Sequence, residues 1–276
     1  MTGQVATSAS VGEALGEAVA RLRVAGVETP RLDAELLLGD ALGVGRSELV
    51  LRASEVSDET ASARFDALLR RREAREPVAY ILGRKAFRQI ELAVDRRVLI
   101  PRPETELLIE FGLTLSAGSR VLDVGTGSGA VALALKHERP DLEVAGTDIS
   151  ADAVAVARTN AIAVGVEVQF VRADLLAGIG GRIDAVLANL PYVTDDFELP
   201  PEISLYEPRG ALFAGGDGLD VIRRLIAMLD GVAAVALEVG FDQADAVAEL
   251  LRGAGFSSVE RVLDLAGHQR VVVGRR

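Results

Sequence analysis

One stretch decides how this 276-residue chain folds: Val121-Leu122-Asp123-Val124-Gly125-Thr126-Gly127-Ser128-Gly129-Ala130. Its apolar beginning predicts a buried strand, and the residues after the glycines predict a helix. Three glycines in five residues let the backbone turn tightly and let a ligand lie directly against the main chain. We therefore expect a cofactor to bind along this loop, on Gly125, Thr126, Gly127, Ser128 and Gly129.

Predicted strands and helices alternate after this loop. The strands are expected at 120–124, 143–147, 166–171, 183–188 and 233–239, and the helices at 129–137, 151–164, 218–229 and 243–253. Such alternation is typical of a parallel sheet that binds ligands at the carboxyl ends of its strands. Two closing strands, 258–264 and 269–273, are joined by a tight turn, so one of them must be antiparallel. The predicted fold class is α/β, a Rossmann-like, seven-stranded, mostly parallel sheet with an antiparallel C-terminal strand.

The N-terminal part, residues 1–82, is expected to form a small helical bundle. Thr29 followed by Pro30 combines a hydroxyl N-cap with a proline suited to a first helical turn. Ser57 or Asp58 is expected to cap a further helix. The end of that helix carries four arginines that we interpret as solvated, Arg70, Arg71, Arg72 and Arg75.

A β-hairpin linker is expected at residues 83–103, between the bundle and a cofactor-binding domain at 104–276. Short apolar runs lie on either side of Asp95-Arg96, which predicts the hairpin turn there. The prolines of Ile100-Pro101-Arg102-Pro103 exclude regular helix, so a helix should restart at Glu104.

Composition narrows the classes of function. The chain has no cysteine, which excludes disulfides and thiolate chemistry, and two histidines are too few for a multi-histidine site, so we expect no metal. The net charge of −11 lies entirely in residues 101–276, where 15 basic side chains stand against 26 acidic ones, while residues 1–100 carry 15 of each. Such a charge argues against a surface that binds nucleic-acid phosphates.

The sequence carries no sign of membrane insertion or export. No apolar run reaches the roughly 20 residues of a membrane span. The first ten residues have neither the basic flank nor the apolar centre of a signal peptide. The expected location is cytoplasmic, without a membrane partner.

Acidic residues at predicted strand ends indicate which cofactor binds. Asp148 ends the second strand, where a carboxylate can accept from both hydroxyls of a ribose, in NAD or in S-adenosyl-L-methionine alike. Asp123 favours S-adenosyl-L-methionine over NAD, because a carboxylate repels the diphosphate of NAD and attracts the cationic methionyl end of S-adenosyl-L-methionine. Asp174 can accept from an adenine amine, and Leu175 can pack on the adenine ring. An acid on a surface loop is the simple alternative for Asp174.

The predicted fourth strand ends in the tetrad Asn189-Leu190-Pro191-Tyr192. The Asn189 side chain and the Leu190 backbone carbonyl offer two acceptors to one NH₂ group, which points the nitrogen lone pair at an incoming methyl. Tyr192 can stack on a planar group and exclude water. An amide or aromatic amine is a weak nucleophile, so positioning and electrostatics must supply the rate. An asparagine-initiated turn without function is the simple alternative.

The tetrad resembles the Asn-Pro-Pro-Tyr motif of methyltransferases that act on planar nitrogens, in glutamine amides of proteins and adenine amines of DNA. Leu190 departs from the first proline of that motif, but only its carbonyl is needed as an acceptor, and Pro191 still stiffens the turn. Four further stretches resemble the peptide chain release factor glutamine methyltransferases, the HemK/PrmC-like family: Leu99–Glu106, Tyr206–Leu219, Leu237–Gly240 with Gln243, and Asp264–Val271. The first stretch favours the release-factor branch over relatives that methylate a ribosomal protein.

This resemblance covers the whole chain and implies an S-adenosyl-L-methionine-dependent protein-(glutamine-N5) methyltransferase. Such an enzyme methylates the glutamine of the Gly-Gly-Gln motif in peptide chain release factors and produces S-adenosyl-L-homocysteine, with no metal. The resemblance implies cofactor contacts at Gly125 to Gly129, Asp148, Leu175 and Asn189. It implies glutamine contacts at Asn189, Leu190, Pro191 and Tyr192, of which Asn189 and Tyr192 would be catalytic. The N-terminal bundle would dock the substrate.

Other functions stay open at this point. The tetrad also permits methylation of a ribosomal-protein glutamine or of adenine N6 in DNA. A DNA enzyme must hold phosphates and extract a base, which needs a basic surface that the acidic 101–276 part lacks. The glycine loop alone also permits a nucleotide-binding module or an NAD enzyme, which would need no ordered site at Asn189 to Tyr192.

Overall fold

The computed structural model describes residues 10–56 and 58–276, which form two compact units. The smaller unit contains the described chain up to Gly83 together with Pro200–Tyr206. The larger unit contains Arg84–Leu199 and Glu207–Arg276. The chain therefore leaves the larger unit between residues 200 and 206 and then returns to it.

Five helices build the N-terminal part of the smaller unit: α1 (Val11–Val24), α2 (Pro30–Leu42), α3 (Arg46–Leu51), α4 (Glu59–Glu73) and α5 (Val78–Leu82). Ser10 and Glu13 form a capping box at the start of α1. Asp58 caps α4 by accepting from the Ala61 N–H at 2.8 Å. All five helices contribute to one apolar core, whose buried residues include Leu22, Leu37, Leu49, Phe65 and Ile81. The N-terminal region is helical, as predicted.

Local expectations in this unit need two corrections. Thr29 does not cap α2 with its side chain; its hydroxyl instead donates to the Asp33 carboxylate at 2.9 Å, because an ionised acceptor gives the stronger hydrogen bond. The short helices α3 and α5 were not predicted, since five or six residues are too few to show a helical period. Ser57, the other residue expected to cap α4, lies outside the described residues.

Only part of the arginine cluster at the end of α4 is the solvated helix end that we expected, because Arg70 and Arg71 are exposed but Arg72 and Arg75 are not. Arg72 is buried, and its guanidinium binds the Asp33 carboxylate at 2.7 Å and the Glu202 carboxylate at 2.9 Å. Arg75 binds the other Glu202 oxygen at 2.6 Å. Although burial opposes it, Arg75 and Arg72 hold the pKa of Glu202 at about 2. Two arginines thus fasten the Pro200–Tyr206 segment inside the smaller unit.

The remaining two members of the cluster pair closer to the surface, Arg70 with Asp66 at 2.8 Å and Arg71 with Glu76 at 2.8 Å. Tyr206, at the end of the inserted segment, adds a hydrogen bond from its hydroxyl to the Ala74 carbonyl at 2.6 Å. The arginines at the end of α4 therefore form ion pairs within the protein, and little of their positive charge is left for an outside partner.

The larger unit begins with a two-stranded antiparallel hairpin, β1 (Arg84–Phe87) and β2 (Ile90–Ala93). Its turn lies at Arg88 and the residue after it, not at Asp95-Arg96 as predicted. Arg88 takes a left-handed backbone conformation, with φ of 51°, which arginine rarely adopts. The Arg88 guanidinium binds both oxygens of Glu138, at 2.8 and 2.7 Å, and this pairing holds the turn.

One seven-stranded sheet dominates the larger unit: β3 (Arg120–Val124), β4 (Glu143–Asp148), β5 (Gln169–Arg172), β6 (Ala185–Ala188), β7 (Ala234–Glu238), β8 (Ser258–Leu263) and β9 (Gln269–Arg275). The strands lie in the order β5-β4-β3-β6-β7-β9-β8. β3 to β7 pair in parallel, and β9 runs antiparallel to both neighbours. The predicted fold class is confirmed, including the reversed C-terminal strand.

Helices connect these strands in chain order: α6 (Glu106–Leu113), α7 (Ala130–Glu138), α8 (Ala151–Val164), α9 (Pro201–Ser204, in the smaller unit), α10 (Asp220–Ile226) and α11 (Ala244–Gly253). A 3₁₀ turn at Pro103–Thr105 precedes α6, where we expected helix from residue 104. The core on one side of the sheet includes Val124, Val186, Ile222, Leu237 and Leu251. Within residues 10–56 and 58–276, no helix combines the length and apolarity needed to cross a bilayer.

The parallel register sets the ends of four strands side by side. Val124 pairs with Thr147 on one side and with Ala188 on the other, and Ala188 pairs with Leu237. The loops that follow β3, β4, β6 and β7 therefore leave from one edge of the sheet. The predicted cofactor loop and the predicted substrate tetrad meet at this edge.

Asp33→Asn is expected to destabilise the smaller unit by about 3 kcal/mol, because it removes one charge from a buried ion pair. Its partner Arg72 is 6% exposed and Asp33 is 8% exposed at the side chain. Glu35→Gln on the same helix is the matched control, since Glu35 pairs with Arg31 and Arg46, which are more than half exposed. That control should cost no more than about 1 kcal/mol. Urea unfolding followed by circular dichroism measures both, and equal losses would contradict a special role for the buried pair.

Candidate active site

The glycine loop leaves β3 with its backbone tied to the neighbouring strand. The N–H groups of Gly125 and Thr126 both donate to the Thr147 carbonyl of β4 at 2.9 Å. Gly125 and Gly127 take left-handed backbone conformations, with φ of 73° and 54°, which cost other residues conformational energy. A Cβ on Gly125 would also lie 2.9 Å from the Leu190 Cδ2 atom. Both backbone conformation and close packing therefore require glycine at 125.

Asp123 lies beneath this loop. It is 2% exposed, and its Oδ2 accepts from the Thr126 hydroxyl at 2.5 Å and from the Ala132 N–H at 3.2 Å. Burial raises the pKa of Asp123 to about 7. The carboxyl group thus links the loop to the start of α7. Its contact with a cofactor stays a prediction.

The last two loop residues pack into the protein. The Ser128 carbonyl accepts from the Asn160 side chain at 2.8 Å. A Cβ on Gly129 would lie 2.9–3.2 Å from core side chains. Two of the five predicted loop residues line a cavity, Gly125 and Gly127.

That cavity has a volume of about 530 Å³ and opens at the carboxyl edge of the sheet. Its size is typical of small-molecule sites, which span roughly 300–1,000 Å³. The predicted site residues that line it are Gly125, Gly127, Asp148, Asp174, Leu175, Asn189, Leu190 and Pro191. The residues that do not line it are Asp123, Thr126, Ser128, Gly129 and Tyr192. Two separately predicted groups, the acids of the cofactor site and the start of the tetrad, thus share one cavity.

Asp148 ends β4 at the cavity wall. Its Oδ2 accepts from the Gly127 N–H at 2.9 Å, and its Oδ1 accepts from the Ser150 N–H at 2.8 Å. Burial raises the pKa of this carboxyl group above its usual range. Two backbone donors fix the plane of the carboxylate, and its other lone pairs can still accept from hydroxyls in the cavity.

Asp174 and Leu175 form the wall beyond β5. Asp174 is about half exposed and pairs with Arg224 at 2.5 Å. Leu175 takes a left-handed conformation with φ of 55°, which costs a non-glycine residue on the order of 1 kcal/mol. The Thr147 hydroxyl donates to the Leu175 carbonyl at 3.1 Å and helps hold this conformation. A strained leucine at a cavity wall is typical of a binding site.

The tetrad after β6 is fixed from both sides. Leu190, the residue that departs from the related motif, is 3% exposed and packs against Gly125. The Gln243 side-chain amide donates to the Tyr192 carbonyl at 2.9 Å. In the described part of the chain, no hydrogen bond ends on the Leu190 carbonyl oxygen. This carbonyl is therefore available as an acceptor, as the sequence predicts.

Two residues to which the sequence gave no individual role complete the site, Thr105 and Glu238. Asn189 Nδ2 donates to Thr105 Oγ1 at 3.0 Å, and the Thr105 hydroxyl donates to Glu238 Oε2 at 2.6 Å. The Tyr192 hydroxyl donates to Glu238 Oε1 at 3.3 Å. Both residues predicted to be catalytic thus connect to one carboxyl group.

Burial governs the protonation of this cluster. Glu238 is 2% exposed, and burial raises its pKa to about 7. Burial and the neighbouring Glu238 raise the pKa of the Tyr192 hydroxyl, so Tyr192 stays protonated near neutral pH. The sequence signal for Glu238 was a single acid inside an otherwise apolar run, Ala233–Val239. Its partner Thr105 lies 133 residues away, which no local pattern could reveal.

A third buried acid, Glu207, ties the segment before α6 to the cavity wall. The Glu207 side chain is 1% exposed and binds Arg102 at 2.5 Å. It also accepts from the Ile100 N–H at 3.3 Å. Burial raises the pKa of Glu207, and Arg102 opposes that rise. Because Pro208 lines the cavity, this pair links the Ile100–Arg102 segment to the wall.

A larger concavity, of about 930 Å³, lies at the opposite, amino ends of the strands. It is lined by Arg120 and Glu143, the first residues of β3 and β4, and by none of the predicted site residues. Parallel α/β sheets bind their ligands at the carboxyl ends, so the smaller cavity is the candidate active site. Across the described ranges, no group of three or more His, Cys, Asp and Glu side chains could hold a metal ion.

The chain is similar to known methyltransferases in sequence and in fold. Residues 13–83 match the family model described as the PrmC N-terminal domain, and residues 103–204 match the methyltransferase small domain. The chain is 40% identical to the release factor glutamine methyltransferase of Rhodospirillum rubrum over 96% of this chain and 85% of that protein. It is 41% identical to the protein of the same name from Deinococcus radiodurans, over 95% of this chain and 97% of that one. The solved structure of a methyltransferase from Pyrococcus furiosus has a similar fold, with a TM-score of 0.53 and 17% identity over 69% of this chain and 91% of that chain.

Gly125→Ala is expected to weaken binding of S-adenosyl-L-homocysteine by about tenfold or more, because its Cβ adds left-handed strain and meets Leu190. Gly165→Ala is the matched control: Gly165 has φ of 77° and no atoms within 4 Å of its Cβ position, and it lines the larger concavity instead of the candidate active site. Isothermal titration calorimetry measures both affinities. If the two variants bound equally well, the glycine loop would not be the cofactor site.

Proposed function

This chain belongs to the release factor glutamine methyltransferase family, and we propose that it methylates the glutamine of the Gly-Gly-Gln motif in peptide chain release factors. The methyl acceptor is the side-chain amide nitrogen of that glutamine. The observation that carries the proposal is the meeting of Asp148 and Leu175 with Asn189 and Leu190 in one cavity at the carboxyl edge of the sheet. A cofactor and an amide can therefore bind side by side.

The residues in this cavity fit S-adenosyl-L-methionine. When bound, this cofactor supplies a methyl group on a positively charged sulfur and becomes S-adenosyl-L-homocysteine. Gly125 and Gly127 leave the backbone open to a ligand, and Asp148 presents a fixed carboxylate to ribose hydroxyls. Asp174 and Leu175 would receive the adenine, by an acceptor oxygen and an apolar surface. Asp123, when ionised, would favour the cationic end.

Asn189 and Leu190 would hold the substrate amide. The Asn189 Oδ1 atom and the Leu190 carbonyl accept one hydrogen each from its NH₂ group, which leaves the nitrogen lone pair facing the methyl. Asp148 and Leu175 would hold the cofactor that supplies the methyl group, and the amide nitrogen that receives this methyl would release its proton to water. No strong base is required, because fixed acceptors align the nitrogen before it reacts.

Tyr192 would cover the substrate amide and keep water out. The Tyr192 hydroxyl is held by Glu238 at 3.3 Å, and its carbonyl is held by Gln243 at 2.9 Å. Because the Tyr192 residue is held at its hydroxyl and at its backbone carbonyl, its ring can lie against a planar amide in one orientation. This favours a single reactive geometry.

The net negative charge and the pairing of the arginines at the end of α4 favour a protein substrate over DNA. The net charge is −11, and the four arginines at the end of α4 are already paired with acids of the smaller unit. Binding a DNA backbone needs free cationic side chains. We assign release-factor docking to the smaller unit, on surfaces other than the Arg72–Glu202–Arg75 pairs.

Labelled S-adenosyl-L-methionine should transfer its methyl group to a purified release factor. A release factor whose Gly-Gly-Gln motif is changed to Gly-Gly-Ala should stay unlabelled, because the accepting nitrogen is gone. Scintillation counting of the gel-separated protein measures both. A ribosomal-protein fraction and duplex DNA serve as competing acceptors. Absence of label on the wild-type release factor, or equal label on both forms, would overturn the proposed function.

Asn189→Ala should reduce methyl transfer by at least about 100-fold while S-adenosyl-L-homocysteine affinity changes by less than about threefold. The reason is that the variant removes one of two acceptors that align the amide, a loss comparable to removing an oxyanion-hole donor. Single-turnover labelling gives the rate, and calorimetry gives the affinity. Activity close to the wild-type rate would exclude the two-acceptor arrangement.

A further inference from the structure

We propose that Thr105 and Glu238 are positioning residues that fix which atom of the Asn189 amide faces the substrate. This inference rests on the proposed function, in which Asn189 Oδ1 accepts a hydrogen from the substrate amide. It adds two residues that do not line the cavity and that act through Asn189.

An asparagine side chain is nearly symmetric in shape but not in chemistry. One end accepts hydrogen bonds and the other donates them. If the Asn189 amide turned over, its NH₂ group would face the NH₂ group of the substrate, and two donors would meet. The site therefore needs a partner for Asn189 that distinguishes nitrogen from oxygen.

Thr105 supplies that distinction because of its own partner. Glu238 sits at the end of β7, is 2% exposed, and accepts the Thr105 hydroxyl at 2.6 Å. A hydroxyl has one hydrogen, and an ionised carboxylate can only accept. With its hydrogen committed to Glu238, Thr105 Oγ1 can only accept from Asn189, and it does so from Nδ2 at 3.0 Å. Asn189 Oδ1 then remains for the cavity, and no group in the described residues donates to it.

The direction of the hydrogen bonds from Asn189 through Thr105 to Glu238 depends on the charge of Glu238. A protonated Glu238 can donate to Thr105, which frees the Thr105 hydrogen to point at Asn189 and removes the preference between its two ends. Burial brings the Glu238 pKa to about 7, against the hydrogen bonds from Thr105 and Tyr192. The charged groups in the described chain that act on Glu238 are Glu104, which raises its pKa, and Arg270, which lowers it. Positioning is therefore complete above neutral pH and is lost as the pH falls through about 7.

Thr105→Val and Thr105→Ser form the decisive pair of variants. Valine keeps the shape and removes the hydroxyl, whereas serine restores the hydroxyl. We expect Thr105→Val to lower kcat for release-factor methylation by about tenfold or more. Thr105→Ser should retain most of kcat, and both variants should bind S-adenosyl-L-homocysteine within about twofold of the wild type. A Thr105→Val variant with wild-type kcat, or a Thr105→Ser variant as impaired as Thr105→Val, would overturn the proposal.

Glu238→Gln tests the charge dependence. Wild-type kcat should rise with pH through about 7 and then level off, because the ionised form of Glu238 is the positioning form. Glu238→Gln should show lower kcat and no such rise, since an amide does not titrate in this range. Thermal unfolding establishes that each variant is folded. An unchanged pH profile in Glu238→Gln would contradict the role given to its charge.

A readout without catalysis separates this inference from the proposed function. The Asn189 side-chain NH₂ resonances, assigned by their absence in Asn189→Ala, should exchange slowly in the wild type and in Thr105→Ser, and faster in Thr105→Val. If a wild-type enzyme failed to label any release factor but kept this pattern, the proposed function would fail and the positioning would stand. If labelling succeeded but the exchange of the NH₂ group did not respond to Thr105→Val, the positioning alone would fail.

Discussion

The shared carboxyl edge of four parallel strands is the constraint on which the whole site depends. Parallel pairing of β3 with β4 and β6, and of β6 with β7, brings the ends of these strands into register. Because the connections between parallel strands are long, each strand end can carry its own loop without crowding. The glycine loop, Asp148, the tetrad and Glu238 each follow or end a different strand. A shift of one residue in any pairing would move a whole strand's side chains to the other face of the sheet.

The buried acids of this site lower the stability of the fold. Asp123, Glu207 and Glu238 each have a raised pKa because burial disfavours their charged forms. Glu207 and Glu238 are held by hydrogen bonds from chain segments that are far apart in sequence, whereas Asp123 accepts from Thr126 and Ala132, which lie within nine residues of it. Groups of this kind reduce stability, since apolar residues of similar size would pack without desolvation cost. What these acids contribute is orientation of the site, because one carboxyl group can accept hydrogen bonds from several donors and hold them in place.

The sequence predicts those features that repeat along the chain and misses those that depend on distant pairs. β3 and α8 have the predicted bounds, because apolar periodicity and a capping serine mark them locally. The sequence predicted the hairpin turn at the wrong residues, because Arg88 adopts the left-handed conformation of the turn without the glycine or asparagine that usually marks such a turn. Arg72 was taken as solvated because its acids lie 39 and 130 residues away. Eight predicted site residues line the cavity, but most of its other lining residues were not predicted, and the hydrogen bond from Thr105 to Glu238 could only come from the fold.

The Pro200–Tyr206 segment gives the protein an unusual covalent arrangement. The chain passes between the two units three times, after residues 83, 199 and 206, so the smaller unit is discontinuous in the gene as well as in the polypeptide. Recombination at one site between relatives would exchange the N-terminal helices without Glu202, their partner for Arg72 and Arg75. Such a chimaera would inherit two arginines evolved for a different segment. The two units are therefore expected to be inherited together, with the residues that follow the substrate tetrad diverging in step with the N-terminal helices.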